Sequence, residues 1–193
     1  QALDLDADPQ AIDSALAALP GPPGVRISGG LDAFEIAARV VLGQQVTVAA
    51  ARTLTRRLVD AYGEPLETGV PGLERLFPSA AAIATADPET IGKLGIVRQR
   101  VKALQALAAA LAEGRLVLHR GAPLAATMAA LRELPGIGEW SAQLIAMRAL
   151  AWPDAFPATD IGLLNALGTR DAKAVLGHAE AWRPWRAYAV MRL

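Results

Sequence analysis

Residues 134–142 read Leu-Pro-Gly-Ile-Gly-Glu-Trp-Ser-Ala, and eighteen residues further on an isolated Asp160 stands in Pro-Ala-Thr-Asp-Ile-Gly. Gly136 and Gly138 allow a tight hairpin with positive φ, and an apolar helix from Trp140 to Leu150 follows it directly. Backbone N–H groups at a helix start lack intrahelical acceptors and form a ready anion site, and a nucleic-acid phosphate is such an anion. A carboxylate held at a fixed distance from a phosphate clamp can act on the sugar of the same strand. The pairing therefore contains the parts needed to grip DNA and break a bond in it. Taken singly, each part is bland. A Gly-x-Gly before a helix is most often a turn joining two packed helices, and an Asp at a helix start is most often a plain N-cap.

The elements that must position these residues are helical. The chain has 193 residues, enough for one good core or two small ones. It is 53% hydrophobic, which excludes disorder. Ala and Leu dominate at helical spacing while β-branched and aromatic residues are few, so the fold is expected to be all-α. Asp8-Pro9 opens a helix to about Leu19, stopped by Pro20-Gly-Pro-Pro-Gly24. Asp32 caps a helix to Leu42, Gly43-Gln-Gln45 breaks the pattern, and Val46 to Tyr62 continues it. Residues 63–78 read as loop. Ser79 and Asp87-Pro88 each open a short helix, and Val97 to Glu113 forms a long one ended by Gly114. Leu116-Val-Leu118 is expected to be a short extended piece, and Pro123 to Leu131 leads into the hairpin. Further helices are expected at 160–167, 171–181 and 184–193. The predicted arrangement is two helical lobes with a cleft between them. One comprises 1–35 with 159–193, the other 36–158 with the helix-hairpin-helix at about 124–150.

Leu-Pro-Gly-Ile-Gly-x-x-Ser-Ala followed by the lone Asp160 resembles the helix-hairpin-helix DNA glycosylase superfamily, whose members also carry a Gly/Pro-rich loop and an Asp. Three more segments resemble its alkylbase branch, the bacterial 3-methyladenine DNA glycosylase II type. They are Arg39-Val-Val-Leu-Gly-Gln-Gln-Val-Thr-Val-Ala-Ala-Ala-Arg52, the stretch from Ala86-Asp-Pro-Glu through Leu94-Gly, and Trp182-Arg-Pro-Trp-Arg-Ala-Tyr-Ala189. The four segments occur in the family's order and span nearly the whole chain, from about residue 3 onward. Relatives in this branch carry an additional β-rich N-terminal domain, which these residues do not include.

The resemblance implies removal of alkylated, cationic purines such as 3-methyladenine and 7-methylguanine from double-stranded DNA, by base flipping and hydrolysis of the N-glycosidic bond. It places the family's catalytic carboxylate on Asp160, where a helix start favours a negative charge and where it would stabilise an oxocarbenium-like sugar. Asp154 is the nearest competing carboxylate and is expected to be exposed. Glycosylases that also nick the strand carry a nucleophilic Lys at the second residue after the last hairpin Gly. Here that position is Trp140, and Lys93, Lys102 and Lys173 all lie elsewhere, so a monofunctional enzyme is expected. Trp140 and Trp185 would line the base pocket and favour a cationic base by cation–π stacking; Trp182 reads as structural. Leu144 and Ile161 stand where the best-known relative has Tyr, making the pocket less aromatic. Gln45, where that relative has Leu, and Gln44 before it would be the wedge that fills the gap left by the flipped base. Backbone N–H groups of Gly136, Gly138 and Trp140, with Ser141, would hold a phosphate. The carbonyls of Arg132, Leu134 and Ile137 match those that hold a monovalent cation, Na⁺ or K⁺, in relatives; no other cofactor is implied. The alternatives are a non-catalytic helix-hairpin-helix DNA-binding module and a glycosylase–lyase acting on oxidised bases.

Composition narrows the classes further. Absence of cysteine excludes disulfides, thiolate zinc and the iron–sulfur cluster of the endonuclease III branch. His119 and His178 are too few and too isolated for a conventional metal site. No membrane span or signal peptide is visible. The expected setting is the bacterial cytoplasm, on the nucleoid, as a monomer. Net charge is zero, yet residues 1–96 hold seven Lys/Arg against twelve Asp/Glu and residues 97–193 hold twelve against seven. The basic half carries the hairpin and Asp160. So modest a total implies few phosphate contacts and a shallow salt dependence.

Overall fold

The computed structural model describes Asp4 and residues 6–193. Among them are eleven α-helices and no strand: α1 Pro9–Ala15, α2 Ala33–Leu42, α3 Val48–Tyr62, α4 Ala80–Thr85, α5 Pro88–Lys93, α6 Arg98–Ala112, α7 Leu124–Glu133, α8 Glu139–Ala149, α9 Ile161–Ala166, α10 Ala172–Ala179 and α11 Arg186–Arg192, with a 3₁₀ turn at Glu180–Trp182. Local chemistry sets most of the starts. Asp8, Asp32, Thr47, Ser79, Asp87, Asp160 and Asp171 each accept hydrogen bonds from first-turn amides of the helix they precede. Pro9 and Pro88 occupy first-turn positions where no amide hydrogen is needed. The residue before α8 is Gly138, which has no side chain to do the same.

The chain forms two compact units, Gln1–Leu31 with Glu139–Leu193 and Asp32–Gly138. The sequence-based boundaries at 35/36 and 158/159 differ from this, because α8 belongs with the terminal segments. Its Arg148 reaches the Ser28 hydroxyl (2.9 Å), and its Gln143 Oε1 accepts from the amide of Phe156 (2.8 Å), which packs in one cluster with Leu163, Leu164 and Val175.

The central unit is organised around α6. Val101, Leu104 and Ala108, with Ala103, Leu107 and Ala110, recur at helical spacing and are buried. They pack against α2, α4 and α5. In the other unit, Phe156, Leu163, Leu164, Val175 and Ala179 form a core flanked by Trp182, Val190 and Leu193. This cluster explains why Trp182 is structural: it packs edge-on against Phe156.

Three local expectations are corrected. α1 ends at Ala15 rather than near Leu19, and Leu19 N bonds instead to the Leu16 carbonyl in a turn. Leu116 and Leu118 are buried and Val117 exposed, as alternation requires, but the segment pairs with no strand; Leu116 N caps α6 by bonding to the Ala110 carbonyl. The extended pairing lies in the expected loop instead, where Pro65 and Arg75 form an isolated antiparallel bridge.

Candidate active site

Asp160 is the N-cap of α9 and is half-buried. Its Oδ1 accepts from Gly162 N (2.9 Å) and Leu163 N (3.1 Å). Its Oδ2 accepts from the indole N–H of Trp140 at 2.9 Å. An ionised carboxylate offers about four acceptor directions. Three hydrogen bonds from two elements, α8 and α9, fix its orientation. Among the described residues it makes no ion pair.

Trp140 lies in the first turn of α8 and is half-buried, and Leu144 follows one turn later on the same helix. Ile161, the first residue of α9, is 59% exposed. Trp185 precedes α11, half-buried, with its ring edge-on to Tyr188 at a centroid separation of 5.8 Å. All five residues belong to the unit that holds the chain ends.

Asp154 is corrected from the exposed competitor expected. It is 7% exposed and committed to arginines. Arg186 Nε donates to its Oδ1 (2.6 Å), Arg186 Nη2 to its Oδ2 (2.9 Å) and to its backbone carbonyl (2.9 Å), and Arg183 also bonds it. Arg183 hydrogen-bonds Glu180 as well, which holds the Glu180 carboxyl below its ordinary range. Ala187 N adds a bond to the Pro153 carbonyl (2.9 Å). The loop leading to Asp160 is thereby tied to the segment carrying Trp185. No spacing rule links residues 154 and 186, so the sequence carries no signal of this pairing.

The hairpin at 134–138 closes the central unit. Ile137 N donates to the Leu134 carbonyl (3.1 Å), and Ile137 is buried. Gly136 has φ +78°, and a Cβ there would sit 2.8 Å from Ala103 Cβ, so this position needs glycine for both conformation and space. Gly138 differs from the expectation: its φ is not positive, and a Cβ on it would meet nothing within 4 Å. The protein itself therefore leaves open the face of this residue just before the α8 amides. Ser141 is 2% exposed, so its side chain is not at the surface. Arg132 is exposed and Leu134 half-buried.

At the α2–α3 turn, Gln45 is exposed and has φ +52°, one of two non-glycine residues with positive φ among those described. Gln44 is half-buried, and its side-chain Nε2 donates to the Gly136 carbonyl at 2.8 Å.

Residues 38–171 of the chain match the HhH-GPD superfamily base excision DNA repair proteins. The chain belongs to this superfamily. It is 44% identical to a probable bifunctional transcriptional activator/DNA repair enzyme AlkA of Mycobacterium tuberculosis, over 99% of the chain and 40% of that protein. It thus spans about two fifths of the length of that relative. It is 36% identical to DNA-3-methyladenine glycosylase 2 of Escherichia coli over 98% of the chain and 67% of that protein. The fold also matches a Clostridium acetobutylicum 8-oxoguanine glycosylase/lyase solved with double-stranded DNA, with a TM-score of 0.79 at 16% identity, covering 99% of this chain and 70% of the other. The fold is thus shared with a glycosylase/lyase, and the reaction type has to be argued from side chains.

Proposed function

We propose that this chain is a monofunctional DNA glycosylase that excises alkylated, cationic purines such as 3-methyladenine and 7-methylguanine from double-stranded DNA in base excision repair. The observation that carries the reading is the half-buried Asp160 carboxylate, oriented by the Trp140 indole and the α9 amides. Names of the M. tuberculosis and E. coli relatives point to the same chemistry.

The steps follow from the residues. The damaged nucleotide leaves the stack, and Gln45 enters the duplex in its place. The cationic base stacks against Trp140 and Trp185, with Leu144 and Ile161 completing the pocket. The C1′–N bond breaks heterolytically, and its electron pair leaves with the base, which becomes neutral. A base that is already cationic needs no strong general acid. Asp160 stabilises the positive charge that develops on the sugar. Water then adds to C1′ and gives up a proton, leaving an abasic site on an intact strand. Trp140 stands where a lyase has its Lys, so no Schiff base forms.

Backbone N–H groups of Gly136, Gly138 and Trp140 hold the strand phosphate in this reading, with Ser141 contributing through its amide. The carbonyls of Arg132, Leu134 and Ile137 are neutral oxygens on one short stretch, and the Leu134 oxygen has a second lone pair beyond the one used by Ile137 N. Such donors fit a Na⁺ or K⁺ ion that would bridge protein and phosphate; the ion would serve docking, not the bond-breaking step. The proposed protein acts as a monomer on bacterial nucleoid DNA, and no helix is long and apolar enough to cross a membrane among the described residues.

The test is chemical. Methylated genomic DNA is incubated with the protein and the released bases are identified. Free 3-methyladenine and 7-methylguanine, with abasic sites and unbroken strands, are expected. Release of oxidised bases with strand cleavage and a borohydride-trapped adduct would establish a lyase instead, and binding without release would establish a DNA-binding module.

A further inference from the structure

Gln44 was expected to share the wedge role with Gln45, but its bonds point elsewhere. Its side-chain Nε2 donates to the Gly136 carbonyl (2.8 Å), and its own carbonyl accepts from Arg100 Nη2 (2.5 Å). Arg100 lies in the first turn of α6. One turn further along α6, Ala103 is the residue against which Gly136 packs, so closely that a Cβ on Gly136 would collide with it. The α2–α3 turn, the start of α6 and the hairpin thus close a triangle inside the central unit, two sides made by Gln44 and the third by a contact only glycine permits. Gln45, next in the chain, is exposed and held in the left-handed region, a conformation that costs of order 1 kcal/mol and persists where its surroundings determine it.

We propose that Gln44 is a positioning residue, a latch that fixes the Gln45 turn to the hairpin so that the strand grip and the wedge move as one body. It acts through Gln45 and does not itself enter the duplex. This rests on the proposed base-flipping reading. Binding the phosphate backbone at the hairpin then sets the depth at which Gln45 penetrates, and opening of a paired target is coupled to docking. A floppy turn would bind DNA equally well and flip its target less often.

The test compares Gln44→Met, which keeps length but removes the donor, with Arg100→Met, which cuts the other tie, and Gln45→Ala, which removes the wedge. Each is assayed for single-turnover release of 7-methylguanine from paired duplex, and from a duplex in which the lesion faces an abasic site and is already unstacked. Flipping is followed by 2-aminopurine fluorescence at the target. Loss of a hydrogen bond of this kind is worth about a three- to tenfold change. Gln44→Met and Arg100→Met are both expected to slow release from paired duplex by about that factor and to lower the fluorescence signal, with release from the unstacked target near wild type. A merely destabilised protein would lose both substrates equally, and that result overturns the proposal. So does a defect in Gln44→Met that Arg100→Met fails to reproduce, since it would make Gln44 the wedge itself. If wild-type protein releases no alkylated base from either substrate, the glycosylase reading fails, a result distinct from failure of the latch.

Discussion

Single residues carry the chemistry, and their contacts give distinct outcomes on substitution. Trp140→Phe keeps an aromatic ring but removes the indole N–H that orients Asp160 Oδ2. A hydrogen bond to a charged group is worth about 1.5–3 kcal/mol, so single-turnover release is expected to fall about tenfold or more. Affinity for undamaged duplex, read by fluorescence anisotropy, should hold steady; a matching loss of affinity would place Trp140 in strand binding and not in carboxylate positioning. The two hairpin glycines separate in the same way. Gly136→Ala meets both a left-handed φ and a 2.8 Å overlap with Ala103, and is expected to destabilise by about 2–4 kcal/mol in urea unfolding. Gly138→Ala has room for its methyl group and should leave the unfolding midpoint near wild type while weakening duplex binding. Equal unfolding midpoints for the two variants would contradict the assigned packing.

Elements hold these residues through ties that cross long stretches of chain. The buried Asp154–Arg186 pair joins the loop before α9 to the start of α11. Asp154→Ala removes the carboxylate that Arg186 bonds through Nε and Nη2 and leaves it only the carboxylate of the exposed Glu180 at 3.7 Å, so it is expected to cost about 3 kcal/mol, seen as a lowered urea midpoint. A loss under about 1 kcal/mol would mean that the arginines are solvated instead. This element also shows what was legible in the chain. Starts of α1, α2, α4, α5 and α9 are legible from Asp and Ser because a cap is a local event, settled within three residues. The turn at Gly136 and the cap at Asp160 are legible for the same reason, since both are local events. Asp154 was misread because its partner stands 32 residues away and nothing in either neighbourhood announces it. Leu116-Val-Leu118 was misread for a related reason: alternating burial requires only a half-buried extended path, and here helix α6 supplies the cover that a strand would otherwise give. The unit boundary differs because α8 is apolar on much of its circumference, and only its bonds to Ser28 and to Phe156, which packs with α9 and α10, say which unit it joins.

At the scale of the whole molecule, charge and reaction type set what can be measured on DNA. A net charge of zero, with the excess of Lys/Arg confined to residues 97–193, leaves few cations to displace counterions. The slope of log affinity against log salt is expected to be shallow, of magnitude below about 5, and a steeper slope would show more phosphate contacts than this surface provides. The central claim is that Asp160 breaks the N-glycosidic bond and that the rest of the molecule brings a damaged base to it. Asp160→Asn keeps the shape of the cap and removes the charge. Single-turnover release of 3-methyladenine from methylated duplex by wild type and Asp160→Asn, with duplex affinity measured on the same preparations, tests this most directly. The account predicts that release is abolished while binding is largely retained; release at the wild-type rate by the neutral variant would contradict it.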